Sequence, residues 1–165
     1  MVAERLAGLA PAAVFAYFEK LCSIPHGSRN TKPISDYLVS FAQEHGLRYI
    51  QDDVNNVIIF QDGTCGYEDH APVILQGHMD MVCEKDPSCP LDMAVDGLDV
   101  THDGYYVFAK GTTLGGDNGI AVAYALALMA DPSIAHPPLE VIVTVDEEIG
   151  MLGADGIDLS MVQGR

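Results

Sequence analysis

Three short segments of the chain carry residues whose types and spacing suit the binding of divalent cations. The first is Val73-Ile-Leu-Gln-Gly-His78-Met-Asp80, an apolar run that ends at Gly77 and delivers a histidine and an aspartate two residues apart. In extended chain, residues two apart point to the same side. His78 and Asp80 can therefore converge, with the carboxylate holding the imidazole or sitting just behind it, a common way of orienting a metal-binding histidine. The second is Gly111-Thr-Thr-Leu-Gly-Gly-Asp117-Asn-Gly, which leads into an Ala-rich apolar stretch. Asp117 stands just before a helix N-terminus, where an aspartate ordinarily serves as N-cap. The glycines around it weaken that reading, because they let backbone approach something closely. The third is Leu139-Glu-Val-Ile-Val-Thr-Val-Asp146-Glu147-Glu148-Ile-Gly. Three adjacent like charges at the end of a buried strand repel one another. A solvated turn is the ordinary reading of such a run, and cations would remove the repulsion. On an extended segment Glu147 and Glu148 point opposite ways, so the pair is expected to divide its labour rather than ligate one ion together.

Histidine with carboxylates suits zinc, manganese or cobalt, and the lack of thiolates in these segments argues against a structural zinc. No one segment decides the matter; the three in order do.

The elements that must position these residues are legible from periodicity. Pro11 to Leu21 carries Val14, Phe15, Phe18 and Leu21 at helical spacing. Thr31 to His45 repeats the pattern with Ile34, Leu38 and Phe41; Thr31 can cap it, Pro33 fits its first turn and Gly46 can end it. Short β-rich runs follow at Leu47–Gln51, Val57–Phe60, Val73–Gln76 and Tyr105–Phe108, with Glu84 to Asp103 reading as a long polar loop. Asn118 to Ala130 is apolar almost all round and predicts a buried helix. Leu139–Val145 is a nearly continuous β-branched run, the mark of a central strand covered on both faces. Alternating strands and helices predict a layered α/β fold with its polar residues at the carboxyl ends of strands, where such sheets carry their sites. No repeat or low-complexity linker interrupts the chain, so residues 1–165 read as one module; the strand order stays open.

Hydrophobic residues make up 48% of the chain and charged residues 19%, a balance that excludes a disordered polypeptide. Eight basic residues against 24 acidic ones give a net charge of −16. That balance argues against nucleic acid and anionic membrane as partners, since both need positive surface. Cys22, Cys65, Cys83 and Cys89 form no CxxC pair, the C-x5-C spacing of the last two matches no standard metal site, and the first ten residues lack a basic segment followed by a long apolar run. The expectation is free thiols in a reducing cytoplasm. No apolar run reaches the roughly 20 residues of a membrane span.

The motifs GHMD, GTTLGGDNG and TVDEEIG resemble those of the M20-type superfamily of dinuclear-metal aminopeptidases, carboxypeptidases and deacylases. The longer runs GHMDMVCEKD, KGTTLGGDNGIAVAYALA and HPPLEVIVTVDEEIGMLGA are more closely similar to the bacterial, carnosinase-like aminoacyl-histidine (beta-alanyl-histidine) dipeptidases. The resemblance extends over nearly the whole chain, from Phe18-Glu-Lys-Leu-Cys-Ser-Ile-Pro onward. It implies a layered α/β/α catalytic domain with a central mixed sheet, of which this chain would be the N-terminal part. It implies two divalent cations, zinc or else cobalt or manganese, with His78 on one, Asp117 bridging both and Glu148 on the other. Asp80 would support His78, Glu147 would be the general base, and the Asp117–Asn118 peptide would be cis. The implied substrate is a dipeptide with C-terminal histidine, although the motifs equally admit a broader dipeptide range or N-acyl amino acids.

The family takes two further ligands, an Asp and a His, from later in the chain, and Asp155 and Asp158 do not fit that later motif. His26, His45, His70, His102 and His136 match no ligand position and read as surface or loop residues. The chain alone is therefore expected to be inactive, with an incomplete sheet whose exposed edge or apolar face favours homo-oligomers. A metal-binding or interaction module without catalysis explains the length as well, but not the glutamate at position 147. A nucleotide-binding domain is disfavoured, because GTTLGGDNG is neither GxGxxG nor GxxxxGK[ST].

Overall fold

The computed structural model describes residues 5–64 and 66–165; Cys65, one of the chain's four cysteines, lies outside them. Apolar spacing of the predicted kind builds the first two helices. In α1 (Ala12–Cys22) Val14, Phe18, Leu21 and Cys22 are buried, and in α2 (Lys32–Glu44) Ile34, Leu38, Phe41 and Ala42 are. Thr31 precedes α2 without a side-chain cap bond, and Lys32 and Pro33 form its first turn. Gly46, at φ 66°, ends it: the Leu47 N–H bonds the Ala42 carbonyl at 2.8 Å and the Gly46 N–H bonds that of Gln43 at 3.1 Å. This paired closure satisfies two of the helix's orphan carbonyls.

The main sheet has four strands in the order β1 (Arg48–Gln51), β2 (Val57–Gln61), β6 (Leu139–Thr144), β3 (Val73–His78). β6 runs antiparallel to β2, with Ile142 opposite Ile58, and parallel to β3, with Thr144 opposite His78. The sheet is thus mixed. All six residues of β6 are buried, as its β-branched run requires. Leu139, Val141 and Val143 face α1, α2 and α3 (Gly116–Ala130) in the main core, together with Val57 and Ile59 of β2. On the opposite face Ile58, Phe60 and Ile142 pack with Ile157 and Val162, contributed by the segment that follows α4 (Leu152–Gly156). The Glu140 carboxylate, buried on that face, accepts the N–H groups of Gln163 and Gly164 at 2.8–3.0 Å. A buried charge is tolerable only with such partners.

Several expectations are corrected. The segment 84–103 is not loop throughout, since β4 (Val100–His102) pairs antiparallel with β5 (Val107–Ala109). The strand expected at Tyr105–Phe108 begins two residues later, because Asp103 Oδ1 accepts the N–H groups of both Tyr105 and Tyr106 at 2.8 Å and bends the chain there. His26 and His136 lie in loops, within the surface-or-loop reading, but are buried rather than exposed: His26 Nδ1 lies 2.6 Å from the Ile24 carbonyl and His136 Nδ1 2.7 Å from that of Pro137. Each polar ring is accommodated by a local carbonyl, a short-range device that residue type does not reveal. Cys22, Cys83 and Cys89 are free. No helix among the described residues is long and apolar enough to cross a membrane.

The parallel pairing of β3 and β6 decides where chemistry can occur. It places their carboxyl ends side by side, so His78 and the acidic run after Thr144 leave the sheet at one edge.

Candidate metal centre

β3 ends at His78, whose ring is buried at 5% exposure. Its Nδ1 lies 3.0 Å from the Asp80 carbonyl oxygen and 3.4 Å from Asp80 Oδ1. With a proton on Nδ1 donated to that carbonyl, Nε2 is the free ligand atom. Nε2 faces Asp117 Oδ1 at 3.2 Å and Glu147 Oε2 at 3.8 Å. Asp80 thus sits behind the ring, where the two-residue spacing put it.

Asp80 itself is 1% exposed and fully engaged. Its Oδ2 accepts the Ser28 hydroxyl at 2.7 Å and the Glu148 N–H at 3.3 Å; its Oδ1 accepts the Glu147 N–H at 3.0 Å. Burial alone would raise its pKa, but the bonds from His78, Ser28 and the two backbone amides outweigh burial and hold it down to about 2. Burial would likewise lower His78, yet its hydrogen bonds to Asp80 and Asp117 hold it up to about 9.

Asp117 does not cap α3. Its backbone (φ −87°, ψ 110°) and that of Asn118 interrupt the helix, the cap position falls to Gly115, and the Asp117–Asn118 peptide is cis, as the resemblance implied. The side chain, 83% exposed, bonds His78 Nε2 and the Asn118 amide rather than a helix N–H. Asn118 Oδ1 lies 2.5 Å from where a Cβ on residue 77 would stand, so only glycine at 77 lets the start of α3 close on β3.

Glu147 and Glu148 do not point opposite ways. Asp146 takes φ 52°, the chain bends at Val145 and turns at 148–150, and both carboxylates come round to one side. One ligand atom from each of His78, Glu147 and Glu148 lies within 4.8 Å of the others. Asp117 stands outside that trio but touches His78. An imidazole and two partly exposed carboxylates at this spacing form a donor set for a borderline divalent cation. Cavities of about 450 Å³, bordered by His78, Asp117 and Glu147, and about 630 Å³, bordered by Glu148 and Met81, flank the cluster.

Sequence reasoning missed Ser28, whose hydroxyl braces Asp80, and Arg29, whose N–H bonds Asp146 Oδ1 at 2.6 Å. It also missed Asn56, which reads as an ordinary turn residue. None carries a local motif; each acts across more than fifty residues of chain.

Residues 74–164 match the profile of Peptidase family M20/M25/M40. The chain is 42% identical over 160 residues to the cytosol non-specific dipeptidase of Escherichia coli, covering 97% of this chain and 33% of the relative. It is also 42% identical to a crystal structure of aminoacylhistidine dipeptidase from Vibrio alginolyticus, with a TM-score of 0.92 over 96% of this chain and 32% of that one. A dinuclear metal-binding M20 peptidase from Bacillus subtilis shares the fold at 16% identity and a TM-score of 0.51, covering 82% of this chain and 35% of that one. The chain spans about a third of the length of these relatives.

Proposed function

This chain belongs to Peptidase family M20/M25/M40, and from that premise we propose that the protein hydrolyses dipeptides, Xaa-His among them, at a centre of two divalent cations, zinc in the first place. The observation that carries the reading is the convergence of His78, Glu147 and Glu148 within 4.8 Å at the shared carboxyl edge of β3 and β6. The names of the Escherichia coli and Vibrio relatives, both dipeptidases, support the substrate class, and the Bacillus protein's description supports a dinuclear site.

In this reading His78 Nε2 would hold one cation and Glu148 the other, and Asp117, the exposed carboxylate against His78, would contribute to both. When bound, the cations polarise the scissile carbonyl and acidify a water. Asp80 fixes the imidazole so that Nε2 points outward. Glu147 takes the proton of the attacking water and passes it to the departing amine. Its 40% exposed carboxylate, 3.8 Å from His78, is near enough to the centre to reach a water there and free enough to move.

The test is an assay of the full-length protein, stripped of metal and then given zinc, manganese or cobalt, against beta-alanyl-histidine, several Xaa-His dipeptides and dipeptides lacking histidine. Metal-dependent release of the C-terminal amino acid is expected. Hydrolysis that survives metal removal, or turnover of N-acyl amino acids alone, would replace this reading.

A further inference from the structure

The geometry points to Asn56 as the positioning residue of the acidic loop, a side chain that touches neither cation nor substrate but sets where Glu147 and Glu148 stand. This rests on the roles proposed for those two glutamates.

Asn56 begins β2's approach from the β1–β2 turn and is 1% exposed. Its Oδ1 accepts the Val145 N–H at 3.0 Å, and its Nδ2 donates to the Gly153 carbonyl at 3.0 Å and to Asp52 Oδ2 at 2.7 Å. Val145 and Gly153 bracket the loop that carries Asp146, Glu147 and Glu148. Directly, they share one bond, from the Gly153 N–H to the Val145 carbonyl at 3.1 Å. Their other two polar groups, the Val145 N–H and the Gly153 carbonyl, are both satisfied by the one Asn56 amide. The amide behaves as an inserted piece of strand, closing the loop at its neck.

Two features show that the clasp is built rather than incidental. The amide has one workable orientation: exchanging its oxygen and nitrogen would set Oδ1 against the Asp52 carboxylate and the Gly153 carbonyl, and an NH₂ against the Val145 N–H. Asp52 Oδ1 also accepts the Asn56 N–H at 2.8 Å, fixing the backbone below the side chain. On the far side, a Cβ on residue 153 would lie 2.4 Å from the Val145 carbonyl oxygen and 2.5 Å from Asn56 Oδ1. Only glycine lets the two loop ends and the amide meet. The loop is then held from two directions, by Asn56 at its neck and by Asp80 on the Glu147 and Glu148 amides.

The experiment compares Asn56→Asp, Asn56→Leu and Gly153→Ala with wild type in the full-length protein. Asn56→Asp keeps an acceptor for Val145 but turns a carboxylate toward Asp52 and the Gly153 carbonyl; Gly153→Ala pries the neck from the opposite side and carries the test with Asn56→Asp if Asn56→Leu does not fold. Zinc affinity by competition titration is expected to fall about 10- to 100-fold, the range for residues that orient ligands. kcat should fall with little change in KM, and the Glu147 and Glu148 amides should exchange faster with solvent. Leu38→Ala, a core truncation remote from the loop, is the control for lost stability: it lowers Tm and leaves zinc affinity unchanged. Wild-type affinity and exchange rates in the folded variants, or an equal loss of affinity in Leu38→Ala, would overturn the clasp. A wild-type protein that binds no zinc and hydrolyses no dipeptide would instead overturn the reading on which it rests.

Discussion

Asp80 Oδ1 accepts the backbone N–H of Glu147 at 3.0 Å while the same oxygen lies 3.4 Å from His78 Nδ1. One buried carboxylate therefore sets the position of two groups, one at the end of β3 and one in the loop after β6. Asp80→Ala would leave the imidazole held only by the backbone carbonyl of residue 80 and would leave the Glu147 and Glu148 N–H groups and the Ser28 hydroxyl without their acceptor. Each buried donor stranded in this way costs on the order of 1–3 kcal/mol. The variant is expected to melt earlier and to bind zinc about 10- to 100-fold more weakly. Calorimetry with competition titration checks both; unchanged zinc affinity would detach Asp80 from the centre.

The two glutamates share a side of the loop, so their roles separate by chemistry rather than direction. Glu147→Gln is expected to retain metal and lose turnover by about 10²–10⁴-fold, the range for a general base. Glu148→Gln is expected to lose metal. Elemental analysis of both purified variants, beside their kcat values, decides the matter; equal loss of metal would refute the division.

The pH dependence arises from the His78–Asp80 pair. The folded pKa of His78, about 9, lies above its ordinary 6.5, so its contribution to stability is complete below 6.5 and is lost as pH rises through about 9. Asp80, held to about 2 against an ordinary 3.8, contributes fully above 3.8 and loses its contribution as pH falls through about 2. Metal-free protein should owe most to this pair between 3.8 and 6.5. Zinc needs the neutral ring, so binding at pH 7 should expel a proton. Calorimetric titration in two buffers of different ionisation heat measures that proton; a heat independent of buffer would count against it.

His78, Asp80, Asp117 and the acids at 146–148 were legible because each departs from what its element needs. A strand does not require a terminal histidine, and a buried strand is harmed by three adjacent acids. Helices α1, α2 and α3 were legible from their apolar residues and from Gly46, whereas the five-residue α4 was not. Asn56 was not, because its partners lie 89 and 97 residues away and its own neighbours spell an ordinary turn. The shared side of Glu147 and Glu148 was hidden by one left-handed residue, Asp146, that no Gly or Asn announces. The order β1-β2-β6-β3 depends on which strand pairs with the most buried run, and periodicity carries no such choice.

Exposed apolar side chains gather after the acidic loop. Met151, Leu152, Leu159 and Met161 are each about half exposed, beside the sheet face that Ile157 and Val162 cover. Apolar surface concentrated in this way favours association. The 165-residue chain is expected to sediment as a dimer or larger species at high concentration, and Met151→Lys with Leu159→Lys to shift it toward monomer. Sedimentation velocity of both forms is the check, and a wild-type chain that stays monomeric would remove the surface from consideration.

The last expectation concerns catalysis by these 165 residues on their own. The described residues hold a single three-member cluster with metal-ligand spacing, His78, Glu147 and Glu148, and Asp117 adds one carboxylate beside it. A catalytic zinc takes three protein ligands and keeps a position for water. If Glu147 is reserved for proton transfer, His78, Asp117 and Glu148 remain for two cations, and even with Asp117 shared neither reaches three. One cation should bind weakly and the second hardly at all. Loose binding of cations by an acidic surface is expected from the net charge of −16, so metal content alone does not test the point. Turnover does. The purified chain, given excess zinc, manganese or cobalt, is expected to leave beta-alanyl-histidine and Xaa-His dipeptides intact. Metal-dependent hydrolysis that disappears in Glu147→Gln would show instead that this ligand set suffices and that the two-cation requirement is mistaken.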